Sequence, residues 1–399
     1  MSAAELYDPD SPDVIRDPYP TYRRLRDEAP VYFVKRWNTW ALSRFEDIWK
    51  VTQDNTNLST REGTVPAYLV TKQIVASPNL NHMDPPEQKA LRAELMPFFL
   101  PGHVQRLEEK VRAIVREVLD PLLEKGRADA LDDIGQIVST RVACEAIGFP
   151  AEDQDYIVDL VKRFFAEARG AEVERPKGIP AFDEMKHYLE SVARDRRRHR
   201  GAPENPIDVL LRSRAVGDAP SDELVGGHLI PLLAGGTETF PKVFAAGLYR
   251  LWQHPDQRAD LVRDPSLIPD AFRECLRYDM PTQIAMRKVV REFRIRDATL
   301  RPGESLMFLW SSGNRDEREF PDPDRFDIRR RARRFLSFGN GIHRCVGANV
   351  ADLEGRVLFE ELLRSAPEYD VEESGIELEP SGFFHAYSRM PIRFQARAS

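Results

Sequence analysis

The residue types that bear most directly on chemistry lie in one segment, Phe338-Gly339-Asn340-Gly341-Ile342-His343-Arg344-Cys345-Val346-Gly347. Two glycines before the cysteine and one after it permit a tight turn and a close approach of backbone to a flat ligand. A helical pattern begins immediately afterwards, so Cys345 stands near a helix N-terminus, where the partial positive charge favours a thiolate. Arg344 and the arginines upstream add positive potential. Taken by itself, the segment presents a stabilised thiolate on a glycine loop. An inert buried cysteine is the usual fate of a lone thiol. A nucleophilic cysteine would need a histidine and acid partner set, and the sequence displays none.

A second candidate is Ala234-Gly235-Gly236-Thr237-Glu238-Thr239, set inside an otherwise apolar helical pattern. Two consecutive glycines there cost about 1 kcal/mol each relative to alanine. They make sense where a backbone must open to admit a small ligand or water. Thr239 follows Gly235 by four residues, so its hydroxyl could bond the Gly235 carbonyl and stabilise a kink. An acid beside a hydroxyl is suited to delivering protons. The bland alternative is a glycine-kinked core helix. Pro231 and Pro241 fall in the same helix, and Pro241 would free the carbonyl of Thr237.

The elements that must position these groups are mostly helical. Apolar residues at 104, 107, 111, 114, 115, 118, 119 and 122 have amphipathic helical spacing. Further helical patterns run at Asp153 to Glu167, Phe182 to Arg197, Asp222 to Trp252, Pro269 to Tyr278 and Gly347 to Leu363. Strand-like pieces occur at Val31 to Val34 and Thr39 to Leu42. Phe293 to Trp310 reads as strands turning at Pro302-Gly303. The fold class expected is mainly α with small β-sheets, in one domain over 1–399. Its helical core spans 84–365, with β-rich portions near 30–60, 290–310 and 370–397. Gly170 to Pro180 reads as a mobile lid between helices.

The 399 residues, 42% hydrophobic and 31% charged, suffice for a large core. The formal net charge of -7 argues against a general nucleic-acid binder. Cys144, Cys275 and Cys345 are few, distant and odd in number, so a disulfide framework is not expected and a reducing cytoplasm fits. The polar, acidic N-terminus and the short apolar runs predict no signal peptide and no membrane anchor. No Gly-x-Gly-x-x-Gly follows a strand, and no cysteine cluster could hold an iron–sulfur centre, so electrons would come from another protein.

The segment around Cys345 resembles the haem-binding loop of the cytochrome P-450 family with every fixed position filled. The resemblance runs from about residue 16 to the C-terminus and implies that fold, with a long central helix over haem b. It makes Cys345 the axial thiolate ligand of the iron. It places Phe338 beside the sulfur, His343 on a haem propionate and Gly347 in the cofactor loop. Glu274-Cys275-Leu276-Arg277 is similar to the family's Glu-x-x-Arg signature, and Arg325 would complete a Glu274-Arg277-Arg325 triad. Arg92 and Arg287 match its propionate-binding arginines. Gln88 departs from the histidine usual in bacterial members; an amide can donate a hydrogen bond but carries no charge. By the same resemblance Glu238 relays protons, and Thr239 holds the oxygen to be activated.

The activity implied is O2-dependent hydroxylation of a small hydrophobic substrate, with electrons from ferredoxin and its reductase. The alternatives are a peroxide-driven haem-thiolate peroxygenase and a non-catalytic haem-binding protein. The resemblance implies substrate-facing segments at Leu58 to Leu80, Phe164 to Phe182, Leu233 to Thr237, Thr282 to Ala285 and Phe383 to His385, with side chains that include Val65, Tyr68, Leu69, Phe164, Ile284, Phe383 and Phe384. Each of these residues taken alone reads more readily as core, and Arg61, Lys72 or His385 are candidate anchors. Arg329, Arg330, Arg331, Arg333 and Arg334 form a candidate docking patch for an acidic ferredoxin. The expectation is a cytoplasmic monomer without membrane contact.

Overall fold

The structure is a computed structural model that describes residues 5–72, 79–170, 180–199, 201–379 and 381–395. The lid expected at Gly170 to Pro180 lies almost wholly outside the described residues.

Every helix read from periodicity is present, with its ends moved by a few residues. The stretch from 104 becomes a short 3-10 turn and then the helix Glu108–Lys125. The others are Gln154–Gly170, Pro180–Arg196, Asp222–Gln253, Ile268–Tyr278 and Ala348–Ser365. Gln136–Ile147 carries no expectation from sequence. Nine of its residues are buried, among them Gln136, Ser139 and Thr140, so it has no polar face to set the apolar period off.

The central helix, Asp222–Gln253, runs 32 residues without a break. Ser221 caps its start by accepting the Leu224 N–H at 3.1 Å, and Asp222 and Glu223 sit where the helix dipole is positive. Of its two prolines, Pro241 is accommodated by the neighbouring element, a π-helical turn at Ala130–Gly135 leading into Gln136–Ile147. Pro241 removes the donor for the Thr237 carbonyl, and Gln136 Nε2 supplies one at 3.0 Å. The approach requires a glycine: a Cβ on Gly135 would stand 2.8 Å from the Pro241 Cα.

A five-stranded sheet orders Val31–Val34, Thr39–Leu42, Ser305–Leu309, Ile284–Val289 and Leu58–Ser59. Only the Thr39–Leu42 and Ser305–Leu309 pair is parallel. The chain reverses at Gly303, φ +90°, as the Pro302-Gly303 signal implies. Two strands fall outside the β-rich windows read from sequence. Ile284–Val289 begins before the second window, and Arg127–Asp129 lies inside the helical core, paired with Pro391–Phe394. Three residues are too short for strand periodicity to register.

Candidate active site

The cysteine loop is built from turns that its glycines make possible. Gly339 and Gly341 adopt φ +65° and +73°, and a Cβ on Gly341 would meet the Thr52 carbonyl oxygen at 2.7 Å. The Cys345 N–H donates to the Phe338 carbonyl at 2.7 Å, closing the loop. Asn314 anchors it from below, accepting the Leu336 N–H at 2.7 Å and donating to Ser337 Oγ at 2.9 Å. The helix Ala348–Ser365 starts three residues after the cysteine. The loop opens on a cavity of about 380 Å³. Arg92, Arg287, Phe338, His343, Cys345 and Gly347 all line it, and so does Thr239 with Gly235 and Gly236.

The thiolate expectation needs correction. Burial pushes the Cys345 thiol above its usual pKa; the Gly347 N–H, Arg344 and Arg92 pull it down without prevailing. A helix start and two cations do not by themselves ionise a sulfur inside a cavity. A coordinated metal ion would.

Glu238 does not line the cavity. Its neighbour in sequence points elsewhere because adjacent helical residues are about 100° apart around the axis. Glu238 pairs with Lys242 at 3.4 Å. The kink hydrogen bond expected of Thr239 is not formed; Thr237 bonds back instead, to the Leu233 carbonyl at 3.0 Å and that of Ala234 at 3.3 Å. Among the described residues the Thr239 hydroxyl has no hydrogen-bond partner, and the residue lines the cavity.

The cavity's cations test what it could hold. Arg287 is only 8% exposed, and its guanidinium bonds nothing but the Met286 carbonyl, at 2.7 Å. Burial pushes its pKa down to about 10, and the charge of Asp84, not paired with it, offsets this only in part. Half-buried Arg92 likewise has no carboxylate partner among the described residues. Burial and then the Arg287 charge push His343 down to about 3, so its imidazole is neutral. A buried, unpaired cation is costly unless an anion completes it. Two such arginines and a histidine at the margin of a cysteine cavity fit a planar dicarboxylate cofactor with a soft metal centre, which is haem.

Gln88 lines the cavity, with its amide donor turned to the cysteine loop. Its Nε2 donates to the Ile342 carbonyl at 2.8 Å, bracing the cysteine loop, and its buried Oε1 has no partner.

The triad is also corrected. Glu274 and Arg277 pair at 2.7 Å, both essentially inaccessible. Arg325 is exposed and pairs with Asp327 at 2.7 Å. The third member is Arg330, whose Nε lies 3.1 Å from Glu274 Oε1. Sequence spacing could not choose between two arginines five residues apart on an irregular loop.

This removes Arg330 from the docking patch. Arg329 pairs with Asp260, Arg331 with Asp270 and Arg334 with Glu319. Arg331 and Arg333 do line a surface hollow with Arg273 and Arg344, beside Phe338.

The apolar walls of the cavity come from residues that the sequence did not single out, including Phe99, Ala143, Ile147, Leu232 and Phe240. Three of the implied segments do reach the cavity, through Thr64 and Leu80, Gly235 and Gly236, and Thr282 and Ala285, whereas the side chains singled out within the segments do not line it. Leu69, Ile284 and Phe383 pack instead against the core beneath the five-stranded sheet, and Phe164 packs among helices. Arg61 pairs with Asp84 and Glu87, Lys72 bonds the Leu69 carbonyl, and His385 lies against Tyr19 and the Arg16 carbonyl. None of the three reaches the cavity. Among the described residues no helix is long and apolar enough to cross a membrane.

Comparison with known proteins agrees with this chemistry. The profile of the family "Cytochrome P450" matches residues 175–372. The chain is 34% identical to "Putative cytochrome P450 123" of Mycobacterium tuberculosis, covering 98% of both proteins. It is 31% identical to "Cytochrome P450 monooxygenase PikC" of Streptomyces venezuelae, over 96% of this chain and 92% of that one. The solved structure of cytochrome P450 CYP109Q5 from Chondromyces apiculatus superposes with a TM-score of 0.85 at 29% identity, over 98% of this chain and 99% of that one. This chain therefore belongs to the cytochrome P450 family of monooxygenases, oxidoreductases whose cofactor is haem b.

Proposed function

We propose that the chain is an O2-dependent haem-thiolate monooxygenase that hydroxylates a small hydrophobic organic substrate. The observation that carries this reading is one cavity shared by the Cys345 thiol, the uncommitted Thr239 hydroxyl and the unpaired cations Arg92 and Arg287. When bound, the haem supplies an iron at which dioxygen is activated. Cys345 would hold that iron through its sulfur, with Phe338 beside it. The Gly347 N–H tempers the sulfur's charge, so it draws electron density off the ligand. Arg92, Arg287 and His343 receive the two propionates, the arginines as charge-assisted donors. Thr239 offers a hydroxyl that can both donate and accept. Glu238 exchanges protons between that hydroxyl and water, from the adjoining face of the helix.

Substrate binding falls to the apolar wall, Phe99, Ala143, Ile147 and Leu232, with Thr64, Asn81, Ser139 and Thr282 as its polar exceptions. Mostly apolar lining with a few polar groups suits a hydrophobic molecule carrying one or two oxygens. Electrons come from an acidic ferredoxin docked at the hollow of Arg331, Arg333 and Arg344. The protein is a cytoplasmic monomer in which the whole chain forms one domain.

The test is the reduced carbon monoxide spectrum. Wild-type protein gives the thiolate-type Soret band and Cys345→Ala loses it, while Cys144→Ala and Cys275→Ala keep it. A Cys345→Ala protein that retained the band would overturn the assignment. In the wild type, product formed with oxygen, ferredoxin and reductase, and not with hydrogen peroxide alone, separates the monooxygenase from the peroxygenase.

A further inference from the structure

Lys242 is a lysine with almost no contact with solvent, only 6% exposed, in the middle of the central helix. Its surroundings are specific. Nζ lies 2.9 Å from Glu379 Oε2 and 3.4 Å from Glu238 Oε1, and 3.6 Å from the centre of the Phe384 ring. One cation is therefore divided between the carboxylate proposed to carry protons and a carboxylate from a distant part of the chain. The nearer contact belongs to the distant one.

Glu379 and Phe384 sit at the end of the C-terminal hairpin, whose arms Glu377–Leu378 and Tyr387–Arg389 are paired. The Glu379 N–H donates to the Ala386 carbonyl at 2.9 Å, and Ser381 Oγ accepts the Phe383 and Phe384 N–H groups, so the hairpin end is internally held. The hairpin is also joined to the cavity wall. Phe384 bridges Thr282, the Gln283 N–H donates to the Phe383 carbonyl at 2.9 Å, and the His385 N–H donates to that of Pro281 at 2.8 Å. Pro281 and Thr282 both line the cavity. A continuous set of contacts thus runs from the cavity wall through the hairpin to Lys242 and on to Glu238.

We propose that Lys242 is a positioning residue for Glu238, and that Glu379 on the cavity-wall hairpin sets how tightly Lys242 holds it. This rests on the reading of Glu238 as the proton carrier. A lysine pulled toward Glu379 holds Glu238 less tightly, which favours uptake and release of a proton there. A lysine released by Glu379 pairs fully with Glu238 and keeps it as a carboxylate, which is a poorer donor. A ligand that shifts the Thr282 segment moves the hairpin with it and so adjusts proton supply at the moment the cavity is filled. The Phe384 ring keeps the ammonium in place through its face.

The experiment uses the haem-loaded enzyme with whichever substrate gives a spin-state shift. Glu379→Gln keeps shape and the hairpin bonds, and removes only the charge that competes for Lys242. The substrate spectral shift should be unchanged, turnover should fall on the order of tenfold, and the solvent deuterium isotope effect on turnover should rise. Lys242→Arg should restore neither, because a longer planar cation cannot occupy the same point between two carboxylates. Glu238→Gln is the control for the underlying reading. If it leaves turnover and isotope effect at wild-type values, Glu238 is not the proton carrier and that reading fails. If it alters them while Glu379→Gln does not, only the Lys242 and Glu379 assignment is overturned. A double-mutant cycle of Lys242→Met with Glu379→Gln, read by denaturant unfolding, reports the contact apart from turnover, and an absent coupling also overturns the proposal.

Discussion

Two buried arginines in this molecule are in opposite circumstances. Arg277, inaccessible beneath the cysteine loop, uses its donors inside the protein: two bonds to Glu274, at 2.7 and 2.8 Å, and one each to the carbonyls of Asn314 and Pro323. Arg287, nearly as buried, has a single carbonyl. Burial alone therefore does not distinguish a structural charge from a binding one. What distinguishes them is whether the surrounding protein completes the charge. Where it does, the group fastens the fold, here the chain around Asn314 and Pro323 to the helix Ile268–Tyr278. Where it does not, the incomplete shell has the form of a site for an anionic ligand.

This contrast is testable by removing each cation. Arg277→Ala should cost about 3–5 kcal/mol, since it leaves Glu274 buried with only Arg330 to pair it. Unfolding in urea would show the loss, and a variant as stable as wild type would break the comparison. Arg287→Ala should behave oppositely. The haem-free protein should be no less stable, because a burial penalty is removed, whereas haem dissociation should accelerate by an amount matching about 1.5–3 kcal/mol. Transfer of haem to apomyoglobin measures that rate. Equal destabilisation of the haem-free form would place Arg287 with Arg277.

A smaller effect is expected at the carbonyl that Pro241 exposes. Gln136→Leu should cost about 1–3 kcal/mol by leaving the Thr237 carbonyl unsatisfied. Pro241→Ala, which returns a backbone donor, should recover part of it, and a thermal-unfolding cycle of the two reads the coupling.

The mildest case is His228, 2% exposed with a partnerless Nδ1, whose pKa burial pushes down to about 4. Its folded-state pKa lies below the unfolded value, so the unfolded chain takes the proton first. Stability is then lost as pH falls from about 6.5 toward 4, at most about 1.4 kcal/mol per pH unit from this group. His228→Leu should flatten the acid limb over that window. An unchanged limb would assign the acid sensitivity elsewhere.

The chemistry-bearing segments were legible because they are local. The glycine loop with Cys345, the Gly235-Gly236 pair and the long apolar period of the central helix are statements about neighbours in sequence. Seven of the eight named site residues were brought to one cavity on that basis, with Glu238 on an adjoining face. What failed were assignments between segments. The third member beside Glu274 and Arg277 is Arg330 and not Arg325, and Phe164 and Phe383 pack against core clusters and not around the cavity.

The amino-acid sequence by itself determined the amphipathic helices and the central helix, though not Gln136–Ile147, together with the turn geometry around Cys345 and the family to which those motifs belong. Each depends on backbone preferences and on side chains within a few residues. Tertiary structure alone decided which charges are completed, which carboxylates share Lys242, and which apolar residues line the cavity. Those outcomes turn on differences of about an ångström between groups hundreds of residues apart. Long-range packing sets such distances, and no local pattern records them.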